Sequence, residues 1–144
     1  MLNFNFERVF LAGQALGLAK TCLHEAIEWA KERHTFGKPL IHRQVIRHKI
    51  VDMQMKILAT EAFLEKTIWQ LEKEDVPIVD VCLLKNQATQ TLEYCAKEAV
   101  QILGGMGYSR GTKVERIYRE TKVLSIGGGA EEIMKELAAK QMDL

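Results

Sequence analysis

Proline is scarce in this sequence, with two in 144 residues, and cysteine hardly commoner, with three. So little proline, and no Ser- or Gly-rich run, excludes a linker-rich or disordered chain. Cys22, Cys82 and Cys95 form no CxxC pair and no Cys/His ligand spacing, so no metal site is expected and the thiols read as reduced and half-buried in an intracellular compartment. No apolar run approaches the ~20 residues that a bilayer-spanning helix needs. The opening stretch MLNFNFERVF has no basic n-region, no apolar h-region and no cleavage site. It predicts a protein that is not secreted, placed in the cytoplasm of a bacterium or the mitochondrial matrix of a eukaryote. Charge of one sign is not in excess either: 20 basic residues stand against 19 acidic ones, a formal charge of +1. That balance gives no electrostatic reason to expect nucleic acid or an anionic membrane as a partner.

What is present is the composition of a globular domain, 47% hydrophobic and 27% charged, on a length that suits one domain. Val9, Ala12, Leu16, Ala19, Leu23, Ala26 and Ala30 recur in steps of three and four, one stripe of a helix from about Asn5 to Glu32. Gly37 and Pro39 break it. A second stripe runs through Ile46, Ile50, Met53, Ile57, Leu64, Ile68 and Leu71, with an end expected near Glu74. Pro77 suits the first turn of a third helix with Asp75 as N-cap. That helix carries Leu84, Ala88, Leu92, Cys95, Ala99 and Leu103 and ends at Gly104, Gly105 and Gly107. Shorter helices are expected over Val114 to Val123 and over Ala130 to Met142, the last with Ile133, Met134 and Leu137 on its apolar side. No segment alternates as a strand does. The fold class is therefore all-α: an up-and-down four-helix bundle of long antiparallel helices plus a short C-terminal helix. Phe6, Phe10, Leu11, Met55, Leu58, Phe63 and Trp69 lie off the stripes and favour a second packed surface, another domain or another subunit.

Three polar or glycine-rich segments interrupt the helices. Arg33-His34-Thr35-Phe36-Gly37-Lys38-Pro39-Leu40 turns sharply while displaying a guanidinium suited to phosphate, a hydroxyl and an aromatic ring, and Gln44 follows. A charged helix end before an ordinary turn would read the same way. Gln101-Ile102-Leu103-Gly104-Gly105-Met106-Gly107-Tyr108 would let a backbone approach a ligand closely, or simply end a helix. It follows no strand, so it is not a strand-turn-helix dinucleotide fingerprint. Gly127-Gly128-Gly129-Ala130-Glu131-Glu132 leads into a helix whose first N–H groups could take an anion, and the two acids also suit a first turn.

Together, Arg-x-Thr-Phe-Gly-Lys, Gln-Ile-x-Gly-Gly-x-Gly-Tyr, Val-Glu-Arg-x-Tyr-Arg-Glu from Val114, and Ile-x-x-Gly-x-x-Glu-Ile from Ile126, in this order, resemble the C-terminal helical domain of acyl-CoA dehydrogenases. The resemblance runs from about Phe4 to the end. It implies residues 1–144 as that domain of a longer enzyme, without its N-terminal helical and middle β-domains. It implies FAD as cofactor, an acyl-CoA substrate dehydrogenated to the trans-2-enoyl-CoA, an electron-transfer flavoprotein as acceptor, and a homodimer or homotetramer. The resemblance assigns Arg33 to the flavin pyrophosphate of a neighbouring subunit, Thr35 and Phe36 to the flanks of that cofactor, and Gln44 to the same turn. Gln101, Gly104 and Gly105 fall to the adenosine half, and Ala130 and Glu132 to the cofactor side of the last segment.

The chain departs from the commonest pattern in that last segment. Where many relatives read Tyr-Glu-Gly-Thr, with the Glu as catalytic base, this chain reads Gly127, Gly128, Gly129 and Ala130. Gly128 keeps only a place beside the substrate. A minority of the family, the long-chain and isovaleryl-CoA type, carries its base on the first helix, immediately before an Arg. Glu7-Arg8 matches that arrangement, giving Glu7 as the base and Arg8 a place near the pantetheine arm. An oxidase-type relative would share all of these residues. A helical assembly module without flavin chemistry is the other reading, and the loss of Glu and Thr at Gly128 and Ala130 is what favours it.

Overall fold

The computed structural model describes residues 2–73 and 77–144. In chain order it contains α1 (Leu2–Glu32), a two-stranded hairpin of β1 (His34–Thr35) and β2 (Lys38–Pro39), a single 3-10 turn, and α2 (Gln44–Leu71). There follow α3 (Ile78–Leu103), the one-turn α4 (Gly105–Tyr108), α5 (Lys113–Ile126) and α6 (Glu131–Gln141).

Partner numbers between neighbouring helices run in opposite senses, which fixes the up-and-down order. Lys20 pairs with Glu61 between α1 and α2, and Lys66 with Asp80 at 2.9 Å between α2 and α3. Lys122 with Glu93 and Lys113 with Glu25, both 2.6 Å, tie α5 back to α3 and α1. One end of the bundle therefore gathers the starts of α1, α3 and α6 with the close of α5. The other gathers the close of α1, the hairpin, the close of α3, and α4.

The expected stripes of α1 and α3 are the core. Ala12, Ala19, Ala26 and Ala30 of α1 are buried with Ala88, Cys95 and Ala99 of α3 in one cluster. Small side chains there let the two backbones approach closely. Helix α3 is packed on by α1, α2, α4, α5 and α6, so it buries residues on every side, polar ones among them. The polar groups find partners: Thr60 and Thr91 share a hydrogen bond of 2.8 Å between α2 and α3, and Lys49 pairs with Glu98.

Several details differ from the sequence reading. Helix α1 already begins at Leu2. The core side of α2 passes through Thr60 and Thr67, leaving Ile68 41% exposed. Likewise Ala138 takes the inner face of α6 with Met134, and Ile133 is 59% exposed. Pro77 precedes α3 at its N-cap position and is not in its first turn; Asp75 and Glu74 lie outside the described residues. Gly105 to Tyr108 make a further helical turn after α3 has ended. Helix α5 extends to Ile126, and Thr112 caps it by accepting from the Glu115 N–H at 3.1 Å. No described helix is long and apolar enough to cross a membrane.

Candidate functional site

The hairpin end of the bundle holds a cleft of about 450 Å³ lined by Trp29, Arg33, Thr35, Leu40, the segment Ile102 to Gly105, and Met106. Four residues that the resemblance assigned to the cofactor, Arg33, Thr35, Gly104 and Gly105, thus meet around one space although at least 69 positions separate the two pairs. The floor is apolar, and the polar groups stand at its edge.

Local hydrogen bonds hold this arrangement. The Arg33 N–H continues the last turn of α1 by donating to the Trp29 carbonyl at 2.8 Å, and the Arg33 carbonyl accepts from the Leu40 N–H at 2.7 Å. Both sides of the Arg33 backbone are fixed while its side chain stays exposed. The turn joining β1 to β2 is Phe36-Gly37, with φ of 50° and 76°. A left-handed backbone is ordinary for glycine and strained for phenylalanine. The strain displays a ring that is 97% exposed. Arg43 steadies it: its Nη2 donates to the Thr35 carbonyl at 2.7 Å, and its guanidinium lies 5.6 Å from the Phe36 ring centroid. Arg43 escaped the sequence reading, where the only signal was one more basic residue between the turn and α2. Phe36, Gln44 and Gln101 do not line the cleft; all three are exposed beside it, Gln44 as the first residue of α2 and Gln101 near the close of α3.

The glycines at this end have different causes. Gly104 has φ of 60° and terminates α3 in a conformation few other residues adopt. A Cβ on Gly107 would lie 2.6 Å from the Val100 carbonyl oxygen, so α4 can rest on α3 only with glycine there. Gly105 has neither reason: its φ is ordinary, and a Cβ would meet nothing within 4 Å. Nothing in the chain's own packing demands glycine at position 105, which lines the cleft beside Gly104.

The opposite end holds the other predicted residues. Glu7 and Arg8 stand on the first turns of α1, Glu7 exposed and Arg8 half-buried. Arg8 Nε donates to the Gly128 carbonyl at 3.1 Å, and its Nη1 donates to Oδ1 of the buried Asn5 at 3.2 Å. The guanidinium is thus a strut under the glycine turn, with Nη2 left over. Gly128 has φ of 69°, and a Cβ on it would stand 2.7 Å from Leu11 Cδ1. The turn is shaped for the absence of a side chain at the place where many relatives carry the base. Ala130 occupies the N-cap position of α6 with no side-chain cap, which its methyl cannot supply. Glu132 is exposed. Its neighbour Glu131 accepts from Lys135 Nζ and Gln90 Nε2, each at 2.6 Å, and the Lys135 bond holds its carboxyl below the usual carboxylate range. Among the described residues no group of three His, Cys, Asp or Glu side chains could hold a metal ion.

The match to known proteins is extensive. The family model for the acyl-CoA dehydrogenase C-terminal domain matches residues 1–142. An acyl-CoA dehydrogenase of Alternaria alternata, AFT10-1, is 36% identical over 152 residues, covering 98% of this chain and 35% of that protein. The structure of a probable acyl-CoA dehydrogenase from Mycobacterium abscessus superposes with a TM-score of 0.96 at 40% identity, covering 99% of this chain and 38% of that one. Butyryl-CoA dehydrogenase from Megasphaera elsdenii superposes with a TM-score of 0.96 at 33% identity, covering all of this chain and 38% of that one. The chain therefore spans little more than a third of the length of these relatives. With residues 1–142 matched by the family model and relatives of 33–40% identity matching along nearly the whole chain, the chain belongs to the acyl-CoA dehydrogenase C-terminal domain family.

Proposed function

We propose that the protein carrying this chain dehydrogenates an acyl-CoA thioester to the trans-2-enoyl-CoA with FAD as cofactor and Glu7 as the base. The observation that carries the reading is the cleft where Arg33, Thr35 and Gly104 converge with Gly105, a glycine that the fold itself does not need. Such a position fits close approach of a ligand to backbone. The residues present fit a flavin dinucleotide: a free guanidinium for pyrophosphate oxygens, an apolar floor, and an exposed aromatic ring. When bound, FAD supplies the acceptor for the hydride that leaves the β-carbon.

The chain's own task at the other end is the proton. Glu7 accepts the α-proton through a carboxylate oxygen, leaving the electron pair to form the α,β double bond. Phe6 and Phe10 are exposed next to it and supply apolar surface on which an acyl chain can exclude water. Arg8 holds the Gly128 carbonyl and so keeps the turn clear of the carboxylate. Gln44, Gln101, Ala130 and Glu132 are proposed for the cofactor's surroundings on the sequence resemblance alone. An electron-transfer flavoprotein is the proposed acceptor, and a homodimer or homotetramer the proposed assembly. The exposed Phe6, Phe10, Met55, Leu58 and Trp69 support that assembly.

The test is Glu7→Gln. The variant is expected to keep its flavin and bind acyl-CoA, and to lose about a hundredfold or more of its flavin reduction rate in single-turnover mixing. A rate near that of the parent would refute Glu7 as the base.

A further inference from the structure

At the Glu7 end of the bundle lies a lysine that this chemistry does not use. Lys85, next to Leu84 at the start of the apolar stripe of α3, is fully buried, with 0% exposure. Its Nζ donates to the Ser125 carbonyl at 2.8 Å and to the Gly129 carbonyl at 2.6 Å. The next residue, Asn86, donates through Nδ2 to the Glu131 carbonyl at 3.0 Å, and Arg8 holds the Gly128 carbonyl from α1. Three side chains from two helices thus grip four carbonyls spread over the close of α5, the glycine turn and the start of α6.

A buried ammonium is costly unless its donors are satisfied. A leucine or methionine would fill the same space without that cost, so space alone does not account for a lysine. The carbonyls do. In a trans peptide the C=O and the following N–H point in opposite directions. With the Gly128 and Gly129 carbonyls turned inward to Arg8 and Lys85, the N–H groups of Gly129 and Ala130 are turned away from them. Neither N–H has an acceptor among the described residues. Gly128 and Gly129, with φ of 69° and 117°, are what allow both planes to stand this way.

We infer that Lys85 is a positioning residue: its ammonium sets the peptide planes of the turn from Gly127 to Ala130, and so orients the turn's outward N–H groups toward bound acyl-CoA. The inference rests on the reading above, that this turn borders the substrate. Lys85 acts from behind the turn, through Gly129 and Ser125, and touches no reacting atom.

The experiment uses the flavin-loaded native protein and two readouts. In Lys85→Met, amide exchange at the edges of the turn, Gly127 and Met134, whose N–H groups donate to the Val123 and Ala130 carbonyls, is expected to quicken roughly tenfold to a hundredfold, the range for losing hydrogen bonds to a charged group, while core amides of α1 and α3 change by less than about threefold. Flavin reduction by acyl-CoA should fall by about tenfold or more with flavin content retained, and Lys85→Arg, which restores a buried cation with donors, should recover most of it. Lys85→Gln keeps an uncharged amide group as donor; it carries the same test should Lys85→Met not fold, with exchange at the edges of the turn expected to quicken about tenfold. Unchanged exchange at the turn, a uniform rise across all helices, or a loosened turn with an unaltered reduction rate would each overturn the inference. If acyl-CoA does not reduce the flavin of the unsubstituted protein, it is the functional reading that fails, and the exchange pattern still decides whether Lys85 sets the turn.

Discussion

Replacing Gly107 by alanine would drive a methyl group into the backbone of α3. The new Cβ would stand 2.6 Å from the Val100 carbonyl oxygen, 2.8 Å from Val100 Cα and 3.1 Å from Leu103 Cβ. Two of these atoms are main chain, and the Val100 carbonyl is already held by the Gly104 N–H at 3.0 Å, so α3 has little room to yield. Reaching ordinary contact at 3.4 Å requires α4 to lift by about 0.8 Å (3.4 − 2.6). Overpacking of this kind costs about 1–3 kcal/mol, and the helical gain of alanine over glycine returns roughly 0.5–1 kcal/mol. The net loss is about 1–2 kcal/mol, or a fall in Tm of roughly 3–8 °C for a chain of this size. Gly105→Ala is the matched control, because its Cβ meets nothing within 4 Å. Its Tm should stay or rise slightly, while flavin affinity falls by about tenfold as the methyl enters the space a ligand would use. Calorimetry and a flavin titration of the apoprotein on both variants decide the matter. Equal Tm values would refute the packing argument, and a Gly105→Ala protein that binds flavin as the parent does would refute the assignment of the cleft.

Arg33→Ala should raise the flavin Kd by about tenfold to a hundredfold, whereas Lys38→Ala, which removes a point charge from β2, should have a much smaller effect; equal losses on dialysis would contradict the forked phosphate contact. Burial pushes the Cys22 and Cys95 thiols up to about 12. Both should resist iodoacetamide at pH 8 in the folded protein and react once urea unfolds it, and rapid labelling of the native state would refute their burial. Because their folded values lie above the ordinary 9.0, the unfolded chain releases these protons first. Their contribution to stability is therefore intact below pH 9 and declines as pH rises towards about 12, which urea midpoints across that window would register.

The long helices were legible because their buried residues are aliphatic or small and recur at the helical period. Every stripe residue of α3 is buried, and so are six of the seven named for α1, Val9 being half-buried. Where the core side of a helix is polar, the same reading slipped. Thr67 satisfies its hydroxyl locally, by donating to the Phe63 carbonyl at 2.9 Å, and so can be buried where Ile68 was expected. The hairpin was invisible because strands of two residues have no period. At the site, the family resemblance named Arg33, Thr35, Gly104 and Gly105, which the fold brings around one cleft. It could not find Lys85, whose carbonyl partners lie 40 and 44 residues away, nor the engagement of Arg8 across 120 residues. A lysine inside an apolar stripe was the one signal, and in a sequence it looks like a break in the pattern.

The two sets of assigned residues also constrain how the site is assembled. Glu7 and Glu32, next to Arg33, are separated along α1 by 25 residues, which is about 38 Å of helix. The glycine segments keep the same division: Gly104 and Gly105 lie with Arg33, and Gly128 to Ala130 lie with Arg8. A stiff helix keeps these ends apart, and the span exceeds the reach of one flavin dinucleotide. If Glu7 faces the substrate beside a flavin's reacting ring, then Arg33 of the same chain cannot hold that flavin's pyrophosphate. It must serve a second flavin, and the first must take its arginine from another copy. The exposed apolar residues on α1 and α2 give such a copy a surface to rest on, with Phe10 and Trp69 off both core stripes. Dimerisation in this reading completes the cofactor site itself, so a substitution that separates the subunits should release flavin even with every cofactor residue intact.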